Sequence, residues 1–250
     1  MNRSTLSLLP FALLLVLLAG AVRAEWQHQA DDIMGTRIRA EVWHPDDAVR
    51  EAALTAVFAE MRRIDATYSP YLESSELSRL NREAPKGWVD VAPELRMLLE
   101  RSHRVSELTR GAFDVTYASV GRYYDYREGV APDDGQVAAA IAAIDYRHIE
   151  IDGSRVRYRH PATYVDLGGI AKGFAVDRAI ALLEARGITE AAVSAGGDSR
   201  ILGDRRGQPW VVGVRHPRRA GEYALKLPLA DTAVSTSGDY ERFFERDGER

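Results

Sequence analysis

An acidic residue, two adjacent glycines and a lysine lie close together in the stretch Asp166-Leu-Gly-Gly-Ile-Ala-Lys172. Residues 163–167 alternate polar and apolar side chains, whereas apolar side chains recur every three or four residues after Ala171. We therefore expect a strand that ends at Gly168-Gly169 and a helix that begins just beyond them. Glycines at a helix N-terminus let an anion reach unpaired backbone N–H groups, and phosphate is the anion that this arrangement favours.

The spacing of these glycines matches neither of the two familiar phosphate-binding loops. It does not fit G-x-G-x-x-G, and no serine or threonine follows Lys172 as in a P-loop. A second interpretation is that the glycines only allow the helix to pack closely on a sheet. A lysine in the first helical turn opposes the helix dipole, so we expect a negative partner for it: Asp166, Asp177 or a ligand phosphate.

The composition indicates a globular protein, and the first 24 residues indicate an exported one. The 250 residues include 33 basic and 37 acidic side chains and no cysteine, which excludes disulfides, thiolate metal sites and a cysteine nucleophile. The acidic balance disfavours nucleic acid as a partner. Residues 1–24 combine Arg3, an apolar run and small residues before Ala24, as in a cleaved secretory signal peptide. An uncleaved membrane anchor is the alternative.

From this leader we expect the periplasm or cell envelope as the location of the protein. Residues 25–250 would form the mature domain, either soluble after cleavage or associated with the membrane. The absence of cysteine excludes an anchor through an N-terminal lipidated cysteine.

Strands and helices are mixed along the chain. Residues 36–42 and 191–195 have strand patterns, and the second strand ends in Gly196-Gly197-Asp198. Asp47 is predicted to cap an amphipathic helix whose buried stripe contains Ala53, Val57, Met61 and Ile64. Further amphipathic helices are predicted to begin at Pro93 and after a cap at Asp133. Asp152-Gly153 predicts a hairpin that pairs Ile149 and Ile151 with Val156 and Tyr158. The predicted fold is α+β, with mixed or antiparallel sheets, packed helices and a strand–Gly-Gly–helix ligand site.

Three further features are candidates for ligand contact, each with a plain structural alternative. Tyr71, next to Pro70, is suited to stacking on a planar ligand or to packing. Asp114 is either a turn residue that bonds its own backbone or a carboxylate that faces a ligand. The segment Ser235-Thr-Ser-Gly-Asp239 either binds phosphate or ribose oxygens or is an ordinary polar turn. The histidines show no metal-ligand spacing.

Six motifs, in this order along the chain, resemble those of the FAD:protein FMN transferase family, flavin transferases formerly called thiamine-biosynthesis lipoproteins. The resemblance extends from Met34 to the last residue. The motifs are Met34-Gly-Thr36, Ser69-Pro-Tyr71 with Ser75-Glu-Leu-Ser-Arg-Leu-Asn81, Gly111-Ala-Phe-Asp-Val-Thr116, Asp166-Leu-Gly-Gly-Ile-Ala-Lys-Gly173 with Asp177, Gly196-Gly-Asp198 and Ser235-Thr-Ser-Gly-Asp239.

The resemblance implies a Mg²⁺-dependent reaction in which a threonine hydroxyl of a partner protein attacks FAD. FMN would remain attached to the threonine and AMP would be released. Acceptors would be proteins such as membrane flavoprotein subunits of redox complexes. The resemblance assigns no catalytic residue and places the metal contact on the Gly169 carbonyl. It places the flavin-dinucleotide contacts on Met34, Tyr71, Ala112, Phe113, Asp114, Asp166 and Lys172.

Two departures from the family pattern concern the C-terminus and the leader. The family's histidine-containing motif and the segment with its side-chain metal ligands are expected beyond Arg250. Residues 240–245 and Asp247-Gly248 predict a hairpin whose second strand is unfinished. We therefore expect a domain without its C-terminal part, inactive in this form. Many members are lipid-anchored, whereas this leader ends in Ala24.

Two other functions are compatible with the same residues. One is Mg²⁺-dependent hydrolysis of FAD to FMN and AMP, with water in place of threonine. The other is a non-catalytic exported protein that binds a dinucleotide or another phosphate ligand.

Overall fold

A five-stranded antiparallel sheet dominates the structure, a computed structural model that describes residues 25–125, 128–216, 218–219 and 221–237. Its strands, numbered along the chain and given in spatial order, are β1 (Gln27–Ile33), β2 (Thr36–Trp43), β6 (Glu190–Ala195), β7 (Asp198–Leu202) and β10 (Ala233–Ser235). The strand patterns of residues 36–42 and 191–195 are thus confirmed. Buried and more exposed residues alternate along β2 and β6, which places one face of the sheet in the core.

Two long helices pack against each other on this sheet. They are α1 (Asp47–Tyr68) and α6 (Ala171–Glu184). The cap of α1 was predicted one residue too late, because Asp46 accepts the backbone N–H of Ala48 at 2.8 Å and Asp47 is already helical. The buried stripe of α1 is confirmed, with every one of its residues below 1% exposure: Ala53, Val57, Met61 and Ile64.

A smaller sheet and the remaining helices lie around this layer. The sheet contains β3 (Val89–Asp90), β5 (Arg155–Tyr158) and β4 (Ile149–Asp152), in that order. Its β4–β5 hairpin has the predicted register, with Ile149 opposite Tyr158 and Ile151 opposite Val156. The other helices are α2 (Glu76–Glu83), α3 (Pro93–Leu108), α4 (Ala118–Gly121) and α5 (Asp134–Ala140), and β8 (Trp210–Arg215) pairs with β9 (Tyr223–Leu229). The α+β class is confirmed.

The strand predicted before Gly168 is wrong. Val165 and Leu167 are fully buried and alternate with Asp166, as expected, but residues 163–167 belong to no sheet in the described part of the chain. Their backbone groups bond instead to the side chain of Asn81 and to the Val115 carbonyl. Alternating burial requires only an extended chain on a core, and it does not reveal what pairs with the backbone.

Some predictions concern residues outside the described ranges. These are the signal peptide at residues 1–24 and the unfinished hairpin at residues 240–248. Among the helices that the structure describes, none has the length and apolarity needed to cross a membrane.

Candidate functional site

Asp166 shapes the glycine turn that precedes α6. Its Oδ1 accepts the backbone N–H of Gly168 at 2.6 Å, and its Oδ2 accepts the hydroxyl of Tyr117 at 3.2 Å. A Cβ atom at position 168 would lie 3.0 Å from Asp166 Oδ1, a tight contact that glycine avoids. The carboxylate therefore holds the turn with one oxygen and directs the other toward the neighbouring loop.

The N-terminus of α6 begins directly after this turn and has no side-chain cap. Within the described part of the chain, no acceptor pairs with the backbone N–H groups of Gly169, Lys172 and Gly173. Unpaired N–H groups at the positive end of a helix dipole attract an anion. The geometry thus supports the phosphate site expected from the sequence, although the turn follows an extended segment and not a strand.

Lys172 folds back over the same turn. Its Nζ donates to the Gly168 carbonyl, and it makes no ion pair with any residue in the described ranges. Asp177, one expected partner, is paired with Arg200 at 3.0 Å, and both oxygens of Asp166 have other donors. Of the three partners expected for Lys172, the ligand phosphate is the one that this geometry favours.

A cleft of about 320 Å³ adjoins the turn and contains five of the eight predicted site residues. The Phe113 ring packs on the backbone of Gly169, where a Cβ atom would lie 3.1 Å from Phe113 Cε2. Gly169 therefore also allows close packing, but against the loop that carries Phe113 and not against a sheet, as the alternative interpretation expected. The cleft is lined by Gly111, Ala112, Phe113, Asp114, Val115, Tyr117, Ile144, Asp166 and Gly169.

Asp114 lines this cleft but serves mainly as a turn residue. Its Oδ1 accepts both the backbone N–H of Thr116 at 2.8 Å and the Thr116 hydroxyl at 2.6 Å. Its Oδ2 accepts the backbone N–H of Tyr146 at 2.8 Å. Of the two roles considered for this carboxylate, the structure supports the turn, and its contact with a flavin stays a prediction.

Asp198, directly after the second glycine pair, lies close to the first turn of α6. A Cβ atom on Gly173 would lie 4.0 Å from Asp198 Oδ2, and Ser235 Oγ donates to Asp198 Oδ1 at 2.7 Å. Gly197 leaves no room for a side chain, because its Cβ atom would lie 2.5 Å from the Thr236 carbonyl oxygen. Ser235 is the last residue of β10, and its bond to Asp198 places residues 235–237 near the α6 N-terminus. Gly238 and Asp239 fall outside the described ranges.

Met34 and Tyr71 do not line the cleft. Met34 occupies the β1–β2 turn with a left-handed backbone (φ 56°) and packs partly against the core. Tyr71 is 88% exposed, on a loop that is joined to the segment before Asp166 by the Tyr164 hydroxyl, which donates to the Pro70 carbonyl at 3.3 Å. Contact of either residue with a flavin stays a prediction.

Tyr117 is a cleft residue that the sequence did not reveal. It is 48% exposed, lines the cleft and donates its hydroxyl to Asp166. Its only sequence signal is its position directly after the motif Gly111-Ala-Phe-Asp-Val-Thr116.

A second, larger cleft of about 470 Å³ lies beside β4 and contains none of the predicted residues. Its arginines are already paired: Arg157 and Arg159 with Glu150, and Arg147 with Asp145. We therefore place the candidate site at the smaller cleft.

The described residues do not by themselves form a metal site. Gly169 is exposed, and its carbonyl, the predicted metal ligand, accepts no hydrogen bond from the described residues. However, no group of three or more histidine, aspartate or glutamate residues within the described ranges is arranged to hold a metal ion. One neutral carbonyl is far from the six oxygen ligands that Mg²⁺ prefers.

Comparison with known proteins identifies the family. The model of the ApbE family matches residues 34–250. The FAD:protein FMN transferase of Vibrio cholerae is 31% identical over 246 residues, which are 94% of this chain and 73% of that protein. The enzyme of the same name from Treponema pallidum is 31% identical over 251 residues, covering 92% of this chain and 69% of the relative.

Solved structures show the same relationship. The ApbE protein of Thermotoga maritima superposes with a TM-score of 0.82 at 33% identity, covering 90% of this chain and 74% of that one. The flavin transferase ApbE from Vibrio cholerae gives a TM-score of 0.78 at 28% identity, with 89% and 74% covered. This chain therefore belongs to the ApbE family of enzymes.

Proposed function

We propose that the full-length protein transfers the FMN moiety of FAD to a threonine hydroxyl of a partner protein and releases AMP. The observation that carries the proposal is the cleft beside the α6 N-terminus, where four residues expected to contact a flavin dinucleotide lie together with Gly169, the predicted metal contact. The curated relatives, which bear the name FAD:protein FMN transferase, support the same reaction.

In this reaction the threonine oxygen attacks the phosphorus atom of FAD that carries the riboflavin side. The new P–O bond forms as the bridging P–O bond breaks, AMP leaves with the bridging oxygen, and the threonine proton passes to a base that we do not assign. The protein's main tasks in phosphoryl transfer are positioning and charge stabilisation. The unpaired amides at the α6 N-terminus and the Lys172 ammonium are suited to holding the pyrophosphate.

On the family resemblance we also propose that transfer requires Mg²⁺, which would neutralise charge on the phosphates. The described residues do not form a metal site. The roles given above to the α6 amides and to Lys172 therefore do not involve the ion. Transfer of covalent flavin to a purified redox-complex flavoprotein subunit would be followed by in-gel fluorescence, with MgCl₂ or with EDTA. We expect labelling of the acceptor in MgCl₂ and no labelling in EDTA. Equal labelling in EDTA would contradict the metal requirement.

We further propose that the protein is exported and acts in the periplasm or cell envelope on membrane flavoprotein subunits of redox complexes. The leader sequence at residues 1–24 supports export, and the family resemblance supports this class of acceptor. N-terminal sequencing of the protein from fractionated cells should begin at Glu25. Recovery of the intact leader in the cytoplasmic fraction would contradict export.

Tyr71 provides a test of the flavin contacts outside the cleft. We expect Tyr71→Ala to weaken FAD binding about 3- to 10-fold, the value of one aromatic stacking contact. The melting temperature should stay within about 1 °C, because the side chain is 88% exposed. Fluorescence quenching gives the affinity and calorimetry the melting temperature.

Tyr223→Ala, at an exposed tyrosine on β9, is the matched control and should leave FAD binding unchanged. A Tyr71→Ala protein that loses stability and affinity in parallel would show that this tyrosine is a packing residue.

A further inference from the structure

The segment that carries Asp166 and the glycine turn pairs with no strand in the described part of the chain. One backbone bond, from the Asp166 N–H to the Val115 carbonyl, holds it at 2.9 Å, and its other contacts are mainly to side chains. Ser119 Oγ accepts the backbone N–H of Tyr164 at 3.0 Å, and Thr163 Oγ1 donates to the Ala143 carbonyl at 3.2 Å. Residues 163–167 therefore depend on a few specific polar side chains for their position.

Asn81, at the end of α2, makes the most complete of these contacts. Its Oδ1 accepts the backbone N–H of Val165 at 2.9 Å, and its Nδ2 donates to the carbonyl of the same residue at 2.8 Å. One amide side chain thus satisfies both backbone groups of Val165, as a β-strand partner would. Val165 is fully buried, so neither group could turn to water without cost.

Asn81 is itself fixed by its surroundings. It is 6% exposed, and the Tyr158 hydroxyl donates to its Oδ1 at 3.1 Å. Burial raises the pKa of the Tyr158 hydroxyl well above its usual value, so the group remains a donor throughout the physiological range. The two bonds to Val165 fix which way the amide points, because a flipped amide would place its nitrogen against the Val165 N–H and its oxygen against the Val165 carbonyl. The Tyr158 hydroxyl holds the amide in this orientation with a third bond.

We propose that Asn81 is a positioning residue for flavin transfer. By clamping Val165, Asn81 sets the Asp166 carboxylate and the Gly168-Gly169 turn against the cleft. The inference rests on the proposed function for its link to transfer. The amide clamps one residue, Val165, while the next residue, Asp166, lines the cleft. Small displacements of such a segment are costly, since a shift of about 1 Å can lower a rate about 100-fold.

The test uses Asn81→Ala beside Ser102→Ala. Ser102 is also buried, but its hydroxyl donates to the Leu98 carbonyl within α3, away from the site. At saturating FAD, and well below every melting temperature, we expect Asn81→Ala to reduce the transfer rate about 10- to 100-fold. Ser102→Ala should change the rate less than about twofold, even if its melting temperature falls as much as that of Asn81→Ala.

Asn81→Asp is the conservative variant. It keeps an oxygen for the Val165 N–H but presents a second oxygen to the Val165 carbonyl, so it should not restore the rate. Tyr158→Phe is milder, because it removes only the hydroxyl that orients Asn81. We expect a rate reduction of about two- to fivefold for Tyr158→Phe, and this variant decides the matter if neither Asn81 variant folds.

Hydrogen exchange provides a readout that does not depend on transfer. Peptides covering residues 164–169 should exchange faster in Asn81→Ala than in Ser102→Ala, while peptides from β2 and β6 exchange alike in both. Unchanged exchange at residues 164–169, or a transfer rate equal to that of Ser102→Ala, would overturn the inference. If the wild-type protein binds FAD but transfers nothing, the proposed function fails, and the exchange data still decide whether Asn81 fixes the segment.

Discussion

Replacement of Asp166 by alanine is expected to lower kcat/KM for flavin transfer about 100-fold or more. Its Oδ1 holds the Gly168 N–H at 2.6 Å, so the change releases the turn that leads into α6. Its Oδ2 lies at the cleft beside Tyr117, so the change also removes a candidate acceptor for ligand polar groups. A 100-fold loss corresponds to about 2.7 kcal/mol, within the range for hydrogen bonds to a charged group.

Asp166→Asn separates these two effects. The amide oxygen still accepts from Gly168, so the turn should survive while the charge is lost, and kcat/KM should lie between those of the wild type and Asp166→Ala. Asp152→Ala, at an exposed carboxylate paired with Arg155 on the smaller sheet, is the control and should behave as the wild type. Equal kinetics for Asp166→Ala and Asp152→Ala would remove Asp166 from the site.

Lys172→Met is expected to weaken FAD binding by about 1.5–3 kcal/mol, or roughly 10- to 150-fold, the range for a charge-assisted hydrogen bond. Methionine keeps much of the aliphatic stem and removes the ammonium group. In the absence of an ion pair within the described part of the chain, that charge is available to a pyrophosphate at the α6 N-terminus. Fluorescence titration with FAD at two salt concentrations measures the effect.

The control for this variant is Lys86→Met, which removes an exposed lysine just beyond α2. FAD affinity should be unchanged in Lys86→Met, and the salt dependence of binding should be weaker in Lys172→Met alone. If Lys172→Met binds FAD as the wild type does, the only role of Lys172 is the bond to the Gly168 carbonyl.

Local patterns in the sequence were enough to predict the main elements of the fold. The buried stripe of α1 and the alternating burial along β2 follow from the order of neighbouring polar and apolar residues. The β4–β5 register follows from the turn at Asp152-Gly153. The start of α6 at Ala171 is equally local, because periodic apolar residues follow a glycine turn. These features depend on contacts a few residues apart.

The details of the site could not be predicted in the same way, because they depend on partners distant in sequence. Residues 163–167 have a strand's alternation, yet Val165 pairs with Asn81, 84 positions away in the chain. The second oxygen of Asp114 is occupied because Tyr146, 32 positions away in the chain, donates its backbone N–H to it. Tyr117 reaches Asp166 only when the loop that carries it folds over the glycine turn. Residue types indicated the chemistry, and only the fold shows which groups remain available.

The most direct test of the proposed transfer is the ratio of AMP released to flavin attached. The full-length protein would be mixed with FAD, MgCl₂ and a purified redox-complex flavoprotein subunit. Released AMP would be measured by chromatography, and covalent FMN by the mass of the denatured subunit. We expect one AMP for each FMN attached, with attachment at a threonine and no AMP without the acceptor. AMP and free FMN without covalent flavin would show hydrolysis, and bound FAD without AMP would show a binding protein; either result would contradict flavin transfer.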